Sequence, residues 1–254
     1  MNNIIIVGGS NGIGLALCQM LVNEGKTLVN ISRTPCRVAG VGNMTADVCD
    51  ADALEAAFGS IEQADALVYC AGMSMAAPVE YADRADYVKL FDTNTVGAID
   101  CCRLALPKLK SSADGGRIVL LSSSGGIAPI PFDSFYTASK AALTAFSRAL
   151  CLETDVKCTA AVIGGTRTQF SFKRKVYRNC GEYDKKLKNA ANTLIKTEQS
   201  GYEATFVAKK LLKILNSDDP PPVVTIGAKN KLQTLFYKLL PERIAKAAVK
   251  KMYF

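Results

Sequence analysis

The sequence predicts an α/β fold in which a doubly wound parallel sheet of about seven strands carries helices on both faces. Short runs rich in β-branched residues alternate with amphipathic segments along the chain, an order typical of βαβ units. The first of these runs, residues 4–7, leads into a glycine-rich turn and then into a helical pattern. Because no polar linker separates two apolar cores in the 254 residues, we expect a single domain, residues 1–254.

The periodicity of apolar residues defines the individual elements. The predicted strands are residues 4–7, 27–31, a third that ends near Asp47, 66–70, 118–121, 158–163 and 223–226. The predicted helices are residues 13–24, 52–58, about 86–110, 134–153 and 202–215. Residues 169–198 show no clear period, and we expect them to form an irregular, basic lid over the substrate.

Composition limits the functional classes. Apolar residues make up 49% of the chain and charged residues 21%, an ordinary globular profile without a run of the roughly 18 apolar residues that span a bilayer. No signal peptide is evident, so we expect a cytoplasmic protein whose nine cysteines are reduced. Because histidine is absent, acid–base chemistry must fall to Tyr, Lys, Cys or carboxylates, and no metal site is expected.

The formal charge of +8 is concentrated in two segments, of which the first is residues 170–193. This segment contains seven basic side chains and only two acidic ones, Glu182 and Asp184. The segment opens with the aromatic residues Phe170, Phe172 and Tyr177. This segment could form the mouth of a site for an anionic substrate, such as an acyl thioester or a phosphorylated sugar, or it could be a solvated loop.

The second basic segment, residues 229–254, carries seven basic side chains against Glu242 alone. Its apolar residues predict two amphipathic helices interrupted at Pro241. Such helices could lie on an anionic membrane surface, or they could cover the core or a partner subunit, which is commoner. The basic segments lack interleaved aromatic residues, and we expect no nucleic-acid partner.

The turn after the first strand predicts a dinucleotide site of the Rossmann type. Its residues are Gly8, Gly9, Ser10, Asn11, Gly12, Ile13 and Gly14. Glycine lets the backbone approach a pyrophosphate closely, and the following helix directs its N-terminus at that group. At the end of the second strand, Ser32 and Arg33 stand in place of an acidic residue. A hydroxyl and a cation suit a 2′-phosphate, so the sequence predicts NADP(H).

Tyr136 and Lys140 lie four residues apart on a predicted helix and therefore share one face. A phenol has a pKa near ~10, and burial alone would raise that value further. A neighbouring ammonium acts in the opposite direction, and lowering the pKa by ~3 units takes about 4 kcal/mol. The strand over residues 118–121 ends at three consecutive serines, and Ser123 stands 13 residues before Tyr136.

These motifs together resemble the short-chain dehydrogenase/reductase family, and the resemblance extends through nearly the whole chain. Gly8, Gly12 and Gly14 match its glycine-rich turn. The other matching positions are Asp47 and Val48 after the third strand, Ala71 and Gly72 of the family's N-N-A-G, the tetrad residue Asn94, and Thr168 beside the nicotinamide. The chain departs from the family pattern at Val7, Tyr69, Cys70 and Ile163.

The resemblance implies a hydride-transferring enzyme that interconverts a ketone and a secondary alcohol, with Tyr136 as general acid/base. It implies that Lys140 lowers the pKa of Tyr136 and holds the nicotinamide ribose, and that Ser123 binds the substrate oxygen. Ser122 and Ser124 are close competitors for that last role. Asn94 would anchor a water that relays protons to Lys140.

The same resemblance implies the residues that contact the cofactor and the assembly of the chain. The expected cofactor contacts are Gly8, Ser10, Asn11, Gly12, Ile13, Gly14, Ser32, Arg33, Asp47, Val48, Ala71, Gly72, Tyr136, Lys140 and Thr168. We also expect a homodimer or homotetramer formed through the helices near 91–110 and 134–153. Two alternatives remain: an epimerase or dehydratase that cycles its cofactor, and a catalytically silent protein that senses NADP.

Overall fold

The computed structural model describes residues 1–254, and its core is one sheet of seven parallel strands. The strands are β1 (Asn3–Val7), β2 (Thr27–Ile31), β3 (Val41–Met44), β4 (Ala66–Tyr69), β5 (Arg117–Ser123), β6 (Lys157–Ile163) and β7 (Val223–Thr225). Their spatial order is β7-β6-β5-β4-β1-β2-β3. The predicted doubly wound sheet is confirmed. The order reverses between β1 and β4, and a ligand crevice is expected beyond the carboxyl ends of these two strands.

Nine α-helices accompany the sheet. They are α1 (Gly12–Asn23), α2 (Ala51–Gly59), α3 (Arg84–Phe91), α4 (Gly97–Lys110), α5 (Ser134–Glu153), α6 (Asp184–Gln199), α7 (Ala204–Leu215), α8 (Ala228–Leu239) and α9 (Glu242–Tyr253). None of these helices combines the length and the apolar character needed to cross a membrane.

Alternation along the strands divides the core between the two faces of the sheet. In β1, Ile4 and Ile6 belong to the apolar cluster that includes residues of α1 and α7. Ile5 and Val7 belong to the cluster on the other face, which includes residues of α2, α4 and α5. Successive side chains of a strand point to opposite faces, so a strand buried on both sides reads as the continuous apolar run seen here.

The prediction of an irregular segment over residues 169–198 is wrong, because α6 occupies its second half. The buried residues of α6 are Leu187, Ala190, Ala191 and Leu194, which follow helical spacing. Many lysines and two alanines in this stretch make that apolar stripe weak in the sequence. The first half, by contrast, holds only short 3₁₀ turns and a two-residue strand, Lys175–Val176, paired with Met75–Ala76.

Two other predicted helices differ from their expected form. The helix expected over about 86–110 contains a π-helical turn, Asp92–Val96, between α3 and α4. The helix expected to start at Tyr202 starts at Ala204, because Tyr202–Glu203 pairs as a short strand with Thr166–Arg167.

The C-terminal segment forms two helices on either side of Pro241, as the sequence predicts. Tyr253 of α9 is buried in a small cluster with Ala190 and Leu194 of α6. The opposite surface leaves several large apolar side chains exposed, among them Leu232, Leu235, Leu239 and Ile244. This segment therefore covers part of the molecule and also presents an apolar surface.

Candidate active site

One cavity of about 790 Å³ lies along the carboxyl edge of the sheet. Every residue that the sequence predicts to contact the cofactor lines it, and so do Ser123, Tyr136 and Lys140. Asn94 is the exception, since it is fully buried behind the wall. The cavity then continues past Tyr136 into a chamber bounded by α6 and α9.

The glycine turn is shaped by close backbone contacts that a larger residue would prevent. Gly8 has a φ of +88°, and a Cβ on it would lie 2.8 Å from the amide nitrogen of Ala71. A Cβ on Gly14 would lie 2.3 Å from the carbonyl oxygen of Gly8. These contacts hold β1, the turn and the start of α1 tightly together, so that the backbone N–H groups at the N-terminus of α1 face the cavity. The arrangement fits a dinucleotide pyrophosphate.

A buried asparagine that sequence reasoning missed fixes this turn. The Asn30 side chain accepts a hydrogen bond from Gly9 N at 2.8 Å and donates to Ser32 Oγ and to Asn43 Oδ1, each at 2.9 Å. It thereby ties the glycine turn to the end of β2 and to β3. The signal in the sequence was a lone amide within the apolar run of β2, where a buried polar group needs partners.

At the end of β2, Arg33 is the cation that could bind a 2′-phosphate. Its side chain is 69% exposed, and Nη1 lies 3.8 Å from Asp47 Oδ2. The hydroxyl of Ser32 instead donates to the carbonyl oxygen of Thr34 at 2.6 Å, so its proton is already used. The sequence expectation of a hydroxyl and a cation acting together is therefore reduced to Arg33 alone.

The expected catalytic side chains meet where β5 ends and α5 begins. Tyr136 and Lys140 are both buried on α5, with Lys140 Nζ 5.9 Å from the centre of the Tyr136 ring. Ser123 lines the same cavity wall as Tyr136, and its Oγ accepts from Gly125 N at 3.1 Å. Lys140 Nζ donates to the carbonyl oxygen of Leu121 at 2.8 Å.

The three consecutive serines differ in where their hydroxyls point. Ser122 Oγ donates to the carbonyl oxygen of Lys140 at 2.9 Å and lies 2.6 Å from Thr144 Oγ1, so it is engaged with α5. Ser124 lies beyond the strand and begins a 3₁₀ turn. Ser123, between them, points toward Tyr136, because neighbouring side chains of a strand face opposite ways.

The pKa of Tyr136 is raised in the protein alone, and the lowering expected from Lys140 with the cofactor bound stays a prediction. Burial raises the pKa of the phenol, and the neighbouring Ser123 hydroxyl offsets only part of that effect. Burial also lowers the pKa of Lys140, to about 8, because a buried ammonium loses its hydration. In the protein alone, the loss of water around both groups outweighs the charge of Lys140.

Asn94 lies in the π-helical turn, and its amide is fully engaged with the protein. Its Oδ1 accepts from Met73 N at 2.8 Å, and its Nδ2 donates to the Met73 carbonyl at 2.9 Å and to Ser139 Oγ at 3.0 Å. A Cβ on Gly72 would lie 3.3 Å from Asn94 Oδ1 and 3.5 Å from Lys140 Nζ. Asn94 therefore holds the strand-end segment at Gly72 and Met73 beside Lys140.

Tyr69, a departure from the family pattern, supports the same region. Its hydroxyl donates to the carbonyl oxygen of Thr93 at 2.5 Å, and its ring is completely buried. The bond joins the end of β4 to the π-helical turn that contains Asn94. A π turn inside a longer helix often marks a functional site, and Tyr69 supplies a partner for one of its carbonyl groups.

A second polar cluster, which the sequence did not predict, lies in the chamber beyond Tyr136. We call Asp133, Arg174, Glu198 and Ser74 the chamber cluster. Arg174 donates to Glu198 Oε1 and to Ser74 Oγ, at 2.5 and 2.9 Å, and Ser74 donates to Asp133 Oδ1 at 3.1 Å. Arg174 had been counted among the basic residues of the lid, but its side chain is only 2% exposed. Lys175, beside it, pairs with Asp86.

Comparison with known proteins gives consistent matches in sequence and structure. The family model described as short chain dehydrogenase matches residues 2–176. The chain is 28% identical to 3-ketodihydrosphingosine reductase of Bacteroides thetaiotaomicron over 264 aligned positions, covering 98% of this chain and 97% of that protein. It is 28% identical to the 3-oxoacyl-acyl-carrier-protein reductase MabA of Mycobacterium bovis, covering 63% of this chain and 67% of the relative. A crystal structure of a short-chain dehydrogenase from Streptomyces avermitilis superposes with a TM-score of 0.83 at 21% identity, covering 98% and 96% of the two chains.

Proposed function

The chain belongs to the short-chain dehydrogenase family, and from that premise we propose that it is an NADP(H)-dependent enzyme that interconverts a ketone and a secondary alcohol, with Tyr136 as general acid/base. The observation that carries this proposal is that Ser123, Tyr136 and Lys140 line the wall of one cavity, with Lys140 one helical turn beyond Tyr136 on α5. The site lies at the sheet edge where parallel α/β folds bind ligands.

In the direction of reduction, both hydroxyls would donate hydrogen bonds to the carbonyl oxygen of the substrate. As negative charge develops on that oxygen, the O–H bond of Tyr136 breaks and its proton passes to the substrate, while Ser123 stabilises the charge. Bound NADPH supplies the hydride. Because burial raises the pKa of Tyr136, the phenol is protonated at neutral pH, which is the state that a proton donor needs.

Lys140 would hold the nicotinamide ribose and stabilise the phenolate that remains after proton transfer. Its Nζ has one partner in the protein, the carbonyl oxygen of Leu121, which leaves two N–H groups for other acceptors. Asn94 and Tyr69 act as positioning residues, since they hold the backbone around Lys140 without lining the cavity.

The preference for NADP(H) is supported by the absence of a carboxylate at the end of β2. Arg33 stands there with an exposed guanidinium, which can bind a phosphate in bidentate fashion. The closely packed turn at Gly8 and Gly14 fits the pyrophosphate of a dinucleotide. Thr168 lies close to Gly12, on the opposite side of the same turn.

The Tyr136→Phe substitution tests the proposal, because it removes one oxygen atom and keeps the ring. We expect kcat/KM with NADPH and a ketone to fall by about 10²–10⁴-fold, the usual contribution of a general acid. NADPH binding, followed by its fluorescence, should stay within about 3-fold of the unmodified protein. Tyr87→Phe is the matched control, since the Tyr87 ring stacks on Phe135 in the same region and does not line the cavity.

Retained turnover in the Tyr136→Phe variant would refute the role of this phenol. The initial substrate screen should include keto-acyl thioesters, keto sugars, steroids and quinones, with NADPH oxidation as the readout. If the protein binds NADPH but oxidises it with none of them, the alternative of a silent NADP sensor gains support. Conversion of a substrate without net NADPH consumption would instead favour the epimerase or dehydratase alternative.

A further inference from the structure

The chamber cluster contains three buried polar atoms that have no hydrogen-bond partner in the protein. They are Asp133 Oδ2, Arg174 Nη1 and Glu198 Oε2. Asp133 is 1% exposed, and the side chains of Arg174 and Glu198 are 2% and 15% exposed. All three residues line the cavity. A buried polar group without a partner costs about 1–3 kcal/mol, so three such atoms around one space indicate a site that awaits a polar ligand.

The charge of the chamber cluster defines the ligand that would satisfy it. Two carboxylates face one guanidinium, which leaves a net formal charge of −1 in a region with little access to water. A single cation would balance that charge. An ammonium carries three N–H donors and no acceptor, and it could therefore reach both unpartnered carboxylate oxygens at once. The unpartnered N–H of Arg174 would remain for a hydroxyl or carbonyl oxygen of the same ligand.

The pKa of Asp133 shows that the protein alone stabilises the ionised form of this carboxyl only in part. Burial raises it to about 7, and the opposing effects of Arg174 and Ser74 are insufficient to restore an ordinary value. Because Glu198 adds a like charge nearby, the carboxyl of Asp133 stands to gain more from a cationic ligand than from water.

The chamber cluster lies close to the reacting atoms. Asp133 immediately precedes α5 and stands three residues before Tyr136, and both residues line the same cavity as Glu198. The charges of Asp133 and Glu198 both raise the pKa of Tyr136, which shows that they act on the phenol through space. An ammonium held here could therefore belong to the same ligand as a carbonyl group at Tyr136.

Much of the chamber wall between α6 and α9 is apolar. It is formed by side chains of α6 and α9 and of the segment before α5, among them Ile130, Leu194, Ala245 and Val249. Toward solvent it reaches Phe236 and Met252, whose side chains are more than half exposed. An aliphatic chain attached to the carbonyl carbon could follow this wall toward the surface between α8 and α9.

We propose that the chamber cluster binds the ammonium group of an aliphatic amino ketone, or of the corresponding amino alcohol, and so determines the substrate class of the enzyme. Asp133 and Glu198 accept hydrogen bonds from the ammonium, while the apolar wall takes the alkyl chain. This inference rests on the proposed function, because it places the reacting carbonyl at Tyr136 and Ser123. It differs from the anionic substrate that the basic lid segment suggested, since the two carboxylates would repel an anion.

The test compares an aliphatic α-amino ketone with two ketones of equal chain length, one lacking the amine and one carrying it as an N-acetyl amide. With the unmodified protein, we expect kcat/KM for the amine to exceed both others by about 10–100-fold, the range for a charge-assisted hydrogen bond. Asp133→Asn and Glu198→Gln should each lower the ratio of kcat/KM for the amine to kcat/KM for the ketone without amine by about 10-fold. Glu203→Gln is the control, because that carboxylate pairs with Arg167 at an exposed position.

A binding measurement keeps the inference testable if a variant folds poorly. An aliphatic primary amine should inhibit ketone reduction about 10-fold more strongly than the primary alcohol of equal length in the unmodified protein, and this difference should disappear in Glu198→Gln. Equal kcat/KM for the three ketones, with reduction intact, would overturn the ammonium site and leave the proposed function standing. A parallel loss with all substrates in both variants would also overturn it, because that pattern indicates a structural role. Failure to reduce any ketone would overturn both proposals.

Discussion

The buried side chain of Asn30 allows the contribution of one hydrogen-bonding group to the cofactor site to be worked out. The Asn30→Ala substitution removes the acceptor for Gly9 N and leaves that N–H group buried, at a cost of about 1–3 kcal/mol. It also removes the hydrogen bonds to Ser32 and Asn43, each worth about 0.5–1.5 kcal/mol. Asn43 keeps its hydrogen bond from Cys36 N at 2.7 Å, so its oxygen is not left without a partner. We therefore expect a loss of about 2–6 kcal/mol in the free energy of unfolding.

Cofactor binding should weaken at the same time, because the glycine turn loses its connection to β2. If the displaced turn forfeits one charge-assisted hydrogen bond to the pyrophosphate, the Kd for NADPH rises by about 10–100-fold. Urea denaturation measures the first effect, and fluorescence titration with NADPH measures the second.

Asn23→Ala is the control for this experiment, since Asn23 is exposed at the end of α1 and bonds only to Gln19. Its free energy of unfolding should change by less than about 0.5 kcal/mol. If Asn30→Ala matched this control in both stability and NADPH affinity, the argument that Asn30 holds the turn would be refuted.

Two further substitutions address the cofactor preference and the departure at Tyr69. Arg33→Ala should lower kcat/KM with NADPH by about 10-fold or more and leave kcat/KM with NADH nearly unchanged. Arg37 is an exposed arginine outside the cavity, and Arg37→Ala should alter neither value. Equal effects of Arg33→Ala on the two cofactors would contradict the role of Arg33. Tyr69→Phe should lower the free energy of unfolding by about 1–3 kcal/mol, because the carbonyl group of Thr93 loses its partner, and it should also reduce kcat. Tyr81→Phe, at a 42% exposed position, serves for comparison, and equal stability of the two variants would exclude a structural role for the Tyr69 hydroxyl.

Local sequence patterns were sufficient for the sheet and for the position of the glycine turn. The run from Ile4 to Val7 is apolar at every position because β1 is buried on both faces. The glycines that follow it allow the close backbone contacts of the turn. The spacing of Tyr136 and Lys140 likewise places them on one face of α5 wherever that helix lies. Such features depend on residues near one another in the chain, and periodicity reports them directly.

The features that were missed depend on which distant residues meet. Nothing in a basic stretch indicates that Arg174 is buried against Glu198, or that Asp133 joins them from the segment before α5. The depth of burial of Tyr136, which raises the pKa of its phenol in the protein alone, was likewise not visible, because the i, i+4 spacing shows only the neighbouring ammonium.

The sequence by itself determined the first strand, the glycine turn that follows it, and the placement of Tyr136 and Lys140 on one face of a helix. Each of these features is encoded by residues that lie close together in the chain. Only the tertiary structure decided which serine faces the phenol, that Asn30 fixes the turn, and that two carboxylates and a guanidinium share one chamber. Desolvation and hydrogen-bond satisfaction are properties of a residue's complete surroundings, and packing brings those surroundings together from across the whole chain.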